Sequence, residues 1–162
     1  MKMVFSKLFR RIENNKNKVE LVAYAPSEID YYIFLERQSK LNKQQIILNS
    51  SFMILLLDFF FKEKKYDISS IEFAEDEGIY SSSLKEIINI ANEDRTSFED
   101  LLVKLKILKS EDSIDIYKIT LEDAENDNDL SFKSNGIVTM NLDCYEDTKK
   151  IIESFVENIL NV

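Results

Sequence analysis

The sequence predicts an α+β fold: helices packed on one face of a small antiparallel sheet, with a helix closing the chain. Three observations predict it. Much of the chain carries apolar residues at helical spacing, and late segments switch to the alternation of strands. Only 2 glycines and 1 proline occur in 162 residues, few for the tight turns of an all-β sandwich or barrel. The length suits one domain with a real core. No internal repeat and no Pro- or Ser-rich linker divides it, so residues 1–162 read as a single acidic domain.

Residues 3–13 set Val4, Phe5, Leu8, Phe9 and Ile12 on one helical stripe, with Lys7, Arg10 and Arg11 off it, and Asn14 to Asn17 end that helix. A cationic amphipathic helix can lie on a membrane. This one spans about three turns beside an acidic remainder that anionic lipid repels, so packing onto the domain's own core is expected. Residues 18–24 read as a strand with Val19, Leu21 and Ala23 on one face. Ser27 is placed to cap a helix running to about Leu41, with Glu28 and Asp30 in the first turn, where carboxylates suit the helix dipole. A second helix follows from about Lys43, built on Ile46, Ile47, Leu48 and the run from Phe52 to Phe61. That run is apolar all round apart from Asp58 and shorter than the ~20 residues of a bilayer span, so it reads as a central helix covered on all sides.

Residues 68–74 fit a strand and 75–78 a turn. Ser83 with Glu86, and Thr96 with Glu99, match capping boxes for two helices. Their buried faces are Leu84, Ile87, Ile88 and Ala91, then Phe98, Leu101, Leu102, Leu105 and Leu108. Residues 113–121 are rich in β-branched side chains, and 136–143 alternate with Val138, Met140 and Leu142 facing one way. The polar residues 122–135 connect them. A final helix from about Tyr145 carries Ile151, Ile152, Phe155, Val156, Ile159 and Leu160 as a continuous stripe.

Charge is unevenly distributed. The chain carries −9, yet residues 66–147 hold 21 acidic and 7 basic side chains, whereas residues 1–65 hold 7 acidic and 12 basic. Such a field attracts cationic partners and repels nucleic acid and anionic membrane. There is no histidine and one cysteine, Cys144. That removes Ser-His and Cys-His nucleophile pairs and His-ligated metal sites, and no Walker loop, dinucleotide-binding glycine fingerprint or zinc signature is present. No catalytic residue, cofactor or metal is therefore expected. The single cysteine suits a reducing compartment, and Lys7, Arg10 and Arg11 interrupt any signal-peptide apolar region, so a cytoplasmic location is expected.

Two acidic segments stand out as candidate contacts. Glu72, Glu75, Asp76 and Glu77 lie just ahead of Tyr80, a composition suited to receiving Arg or Lys. Glu122, Asp123, Glu125, Asp127 and Asp129 form the second. The alternate carboxylates 123–129 superficially match a calcium loop, but Asn128 stands where glycine is needed and Ser134 where a bidentate Glu is needed. A solvated connection between strands explains the same residues. The leading functional expectation is an immunity protein or inhibitor that occludes a basic, nuclease-type bacterial toxin. The alternatives are an acidic, homodimeric secretion chaperone and a DNA-mimic inhibitor. The expected partner is a basic protein, with no direct nucleic acid and no membrane, and the sequence leaves self-association open.

Overall fold

The computed structural model describes residues 2–74, 79–111 and 114–162. In chain order the elements are β1 (Met3–Glu13), β2 (Lys16–Tyr24), α1 (Tyr31–Lys40), β3 (Gln44–Gln45), α2 (Ser50–Lys62), β4 (Asp67–Phe73), α3 (Ile79–Glu93), α4 (Phe98–Ser110), β5 (Ile116–Asp123), β6 (Asn128–Lys133), β7 (Ile137–Asn141) and α5 (Tyr145–Leu160). Short 3-10 turns precede α4 and α5. The chain is α+β with antiparallel strand pairing and a closing C-terminal helix. It forms two compact units, Met1–Ile47 with Asn135–Val162, and Leu48–Ser134.

In the first unit β1 pairs with β2, β7 and the short β3. The expected N-terminal helix is therefore a strand. Its apolar residues fit either period, but Ser6, Lys7, Leu8 and Phe9 are buried consecutively while Ile12 is 60% exposed, the signature of a strand covered on both faces. Asn14 and Asn15, with φ of 52° and 62°, make the two-residue turn into β2. Both positions need the left-handed region that the twist of a tight hairpin demands, and Asn is among the non-glycine residues that enter it most readily.

Strand β2 is an edge strand, and α5 covers its outward N–H groups. The N–H groups of Asn17, Val19 and Leu21 donate to Asn161 Oδ1 (2.8 Å), Glu157 Oε1 (2.9 Å) and Glu153 Oε2 (2.8 Å). The spacing follows from geometry: four residues of helix advance about 6 Å and two residues of strand nearly 7 Å. Asn161 Nδ2 also donates to the Asn17 carbonyl (2.9 Å), so this carboxamide takes the place of a neighbouring strand's peptide. Further along the unit Lys7 is fully buried, and its ammonium donates to the Asn135 carbonyl. Gly136 permits that arrangement. Its φ is +84°, and a Cβ there would stand 2.2 Å from the Ile46 carbonyl oxygen and 3.0 Å from Lys7 Nζ.

In the second unit β5 pairs with β4 and β6. Ile68, Ile71, Ile119, Leu121, Leu130 and Phe132 are buried, and α2 supplies Met53, Leu56, Leu57, Phe60 and Phe61. The Phe61 and Phe98 rings stack at 4.1 Å, and Phe60 lies 5.6 Å from Phe132. The device that protects β2 recurs on β4. Asn92 of α3 accepts from the Ile68 N–H and donates to the Ile68 carbonyl, each at 2.8 Å.

Several expected boundaries shift. Asp30, not Ser27, caps α1, accepting from the N–H groups of Tyr32 and Ile33. The second helix starts at Ser50 behind Asn49, whose side chain accepts from the Phe52 N–H, because Gln44 and Gln45 join the sheet. That helix is not covered all round: Leu55 is 46% exposed on a stripe with Ser51 and the half-buried Asp58. Neither capping box forms. Ser83 sits inside α3 with its hydroxyl on the Tyr80 carbonyl, and Asp94 accepts from the N–H and hydroxyl of Thr96. Those bonds from Thr96, with one from Ser97, hold the Asp94 carboxyl below its ordinary range. The expected turn at 75–78 lies outside the described residues. Residues 122–135 are not a plain connection, for they contain β6.

Candidate protein-binding interface

Alternation along β5 and β6 sorts the polar residues of the second unit onto one face. Ile119, Leu121, Leu130 and Phe132 turn to the core, which leaves Lys118, Thr120, Glu122, Asp129, Ser131 and Lys133 on the other side, where Glu122 and Asp129 are exposed and Ser131 is buried. Register then builds rows across three strands. Asp67, Glu122 and Asp129 are direct partners in one row, Ser70, Thr120 and Ser131 in the next, and Glu72, Lys118 and Lys133 in a third. Neighbouring strands lie about 4.8 Å apart, so the first row sets three carboxylates side by side. Like charges directly opposite each other oppose strand pairing, so the Glu122–Asp129 pair costs stability where it stands.

The hairpin tip extends the same acidic end. Between β5 and β6, Glu125 is exposed and Asp127 takes a left-handed φ of 50°. Asp123 accepts from Asn126 Nδ2 at 2.7 Å, a side-chain bond that tightens the turn. Asn128 points inward, its Nδ2 donating to the buried Tyr66 hydroxyl at 2.9 Å. That anchor fixes the strand phase and so holds Asp129 outward. From 122 to 129 there are five carboxylates and no cation.

Of the residues singled out from the sequence, Glu122, Asp123, Glu125, Asp127 and Asp129 therefore share one hairpin. Glu72 does not join them. It sits on β4 in register with Lys118, some four residues (about 13 Å) along the sheet from the acidic row. Tyr80 is half-buried at the start of α3, its ring edge-on to Phe73 at 6.1 Å. Glu75, Asp76 and Glu77 lie outside the described residues.

The sequence reading missed Asp67. Its carboxylate meets Arg95 Nη2 at 2.7 Å. Arg95 also donates to the carbonyls of Phe61, Lys65 and Tyr66 and lies 4.1 Å over the Phe61 ring. It thereby ties down the link between α2 and β4, where Lys65 has a φ of 61°. Arg95 neutralises Asp67 and leaves Glu122, Asp129 and the tip to set the local potential.

Among the described residues no group of three or more Cys, Asp or Glu side chains converges as a metal site, and no helix is long and apolar enough to cross a membrane. No protein-family model, curated protein or solved structure matches the chain.

Proposed function

We propose that this protein binds a basic protein and neutralises it by occlusion, most concretely as an immunity protein for a nuclease-type bacterial toxin. The observation that carries the reading is the acidic end of the β4–β5–β6 face, where Glu122 and Asp129 stand in one row and the tip adds Asp123, Glu125 and Asp127. Proteins that act on nucleic acid carry Lys and Arg where phosphates sit. A dense carboxylate surface complements such a site and steers encounter. Occlusion needs no catalytic group of its own.

The test is salt dependence of a defined complex. A basic partner co-purified from the native cell, then re-purified, is titrated against the protein by calorimetry from tens to hundreds of millimolar salt. Affinity is expected to fall by one to two orders of magnitude across that range. A complex indifferent to salt removes the acidic face as the recognition element.

The second reading, a secretion chaperone, draws on a shallow apolar groove of about 400 Å³ lined by Ile54 and Leu55 of α2 and by Lys106 and Lys109 of α4. A chaperone of this class is a homodimer, so a monomeric mass by light scattering counts against it.

A further inference from the structure

A different surface, on the first unit, has the composition of a docking site. Of the ten residues of α1 only Phe34 is buried. Phe34 stacks on Tyr24 at 4.5 Å and meets Phe9 edge-on at 5.8 Å. From Tyr24 the aromatic chain continues outward to Tyr31 at 6.0 Å and from Tyr31 to Tyr32 at 5.8 Å. Its outer end lies open: Tyr32 is 77% exposed and the adjacent Ile33 48%. A single exposed tyrosine is ordinary. Three phenol rings linked centroid to centroid and ending in solvent beside an exposed isoleucine form a continuous apolar surface.

The charge around these rings says what suits them. Glu28 and Asp30 are exposed just ahead of Tyr31 and Tyr32 and no Lys or Arg occurs from 19 to 36; farther along α1 the charges balance, Glu36 pairing with Lys40 at 3.4 Å beside Arg37. The start of α1 is no seat for an anion, because Asp30 already takes the N–H groups of Tyr32 and Ile33. Burial, then the neighbouring phenol, pushes both Tyr24 and Tyr31 above the usual phenol range, so these rings stay neutral. Neutral aromatic faces beside carboxylates favour a cation, and a planar guanidinium both stacks on a ring and meets a carboxylate in bidentate fashion. We propose that the Tyr24–Tyr31–Tyr32 face, with Glu28 and Asp30 at its rim, docks an arginine-bearing segment of a partner protein. Tyr32 stacks on the guanidinium, Ile33 covers its aliphatic stem, and the rim carboxylates accept its N–H groups. The surface belongs to the first unit and stands whether or not the acidic hairpin binds anything.

The test uses the full chain with blocked penta-arginine and penta-lysine peptides as probes, at about 150 mM salt, where exposed charges are screened beyond ~8 Å. Affinity is read by fluorescence anisotropy and location by amide chemical-shift changes. The penta-arginine peptide is expected to move amides of residues 28–36. It should bind more tightly than penta-lysine, and lose about tenfold in Tyr32→Ala but less than threefold in Tyr32→Phe, which keeps the ring. Glu122→Lys with Asp129→Lys should leave those shifts in place. The proposal is overturned if Tyr32→Ala binds as tightly as the parent chain, if lysine and arginine peptides bind alike, or if the shifts fall only on residues 122–129. It is equally overturned if Tyr32→Ala instead converts a dimer to a monomer, which would make a second copy the occupant.

Discussion

Two residues at the centre of the first unit carry opposite kinds of constraint. Gly136 is held at φ +84° with the Ile46 backbone against it, so no side chain fits there without moving Ile46 or Lys7. Gly136→Ala should lower unfolding free energy by about 3 kcal/mol or more in urea titration, against the few tenths expected at an exposed loop glycine. Lys7 holds a cation in the interior with a carbonyl partner, and burial lowers its pKa from 10.5 to about 8. Below pH 8 the group is charged folded and unfolded, and its buried charge works against the fold. As the pH rises from 8 to 10.5 the folded state sheds its proton first and that penalty disappears. Stability owed to this residue therefore rises with pH over that window. Lys7→Met should be more stable than the parent at pH 7, by on the order of 1–2 kcal/mol after the lost hydrogen bond is counted, and the gap should close by pH 10.5. Equal differences at the two pH values would mean that Lys7 is neutral throughout or hydrated.

At the scale of elements, the helix side chains that shield β2 and β4 stand out. Glu153→Ala and Glu157→Ala should each cost about 1 kcal/mol and speed hydrogen exchange at the Leu21 and Val19 amides respectively by about tenfold or more, leaving the amides of β7 unchanged. Uniform exchange across the unit would show that α5 adds only bulk cover. Most elements were legible from pattern: β2, β4, β5, β7, α4 and α5 lie close to where their periodicity places them, and α2 and α3 overlap their expected spans with shifted starts. The failures have physical causes. Val4, Phe5, Leu8, Phe9 and Ile12 satisfy a helical stripe by accident, since a strand buried on both faces shows no alternation to contradict it. Scarce glycine argued against tight turns, yet among the described residues Asn14, Asn15, Asn42, Lys65 and Asp127 adopt positive φ. Asn in particular supplies the turns that glycine would. The Thr96 capping box and the Ser27 cap named the right neighbourhoods but the wrong atoms, because Asp94 and Asp30 are the better acceptors, whereas the Ser83 box falls inside α3, which already starts at Ile79.

For the whole molecule, charge divides with the compact units. Residues 48–134 hold 20 acidic and 10 basic side chains, and the remainder holds 10 and 11. No linker composition marks the passages at 47–48 and 134–135, so this division could not be read from the sequence. The acidic hairpin was legible as composition; its partner row was not, because Asp67 lies 55 residues before Glu122 and only strand register joins them. The aromatic face of α1 was missed for the same reason, since Tyr24 precedes the helix and meets Tyr31 only after folding. The most direct measurement is the affinity of the purified basic partner for a chain carrying Glu122→Lys, Asp127→Lys and Asp129→Lys, beside circular dichroism of that variant. These exposed positions take lysine without burying it, so the account predicts an unchanged spectrum, a melting point lowered only by the strain of lysine at the left-handed position 127, and affinity reduced at least a hundredfold, mainly through slower association. Parent-like affinity in a folded variant would contradict it.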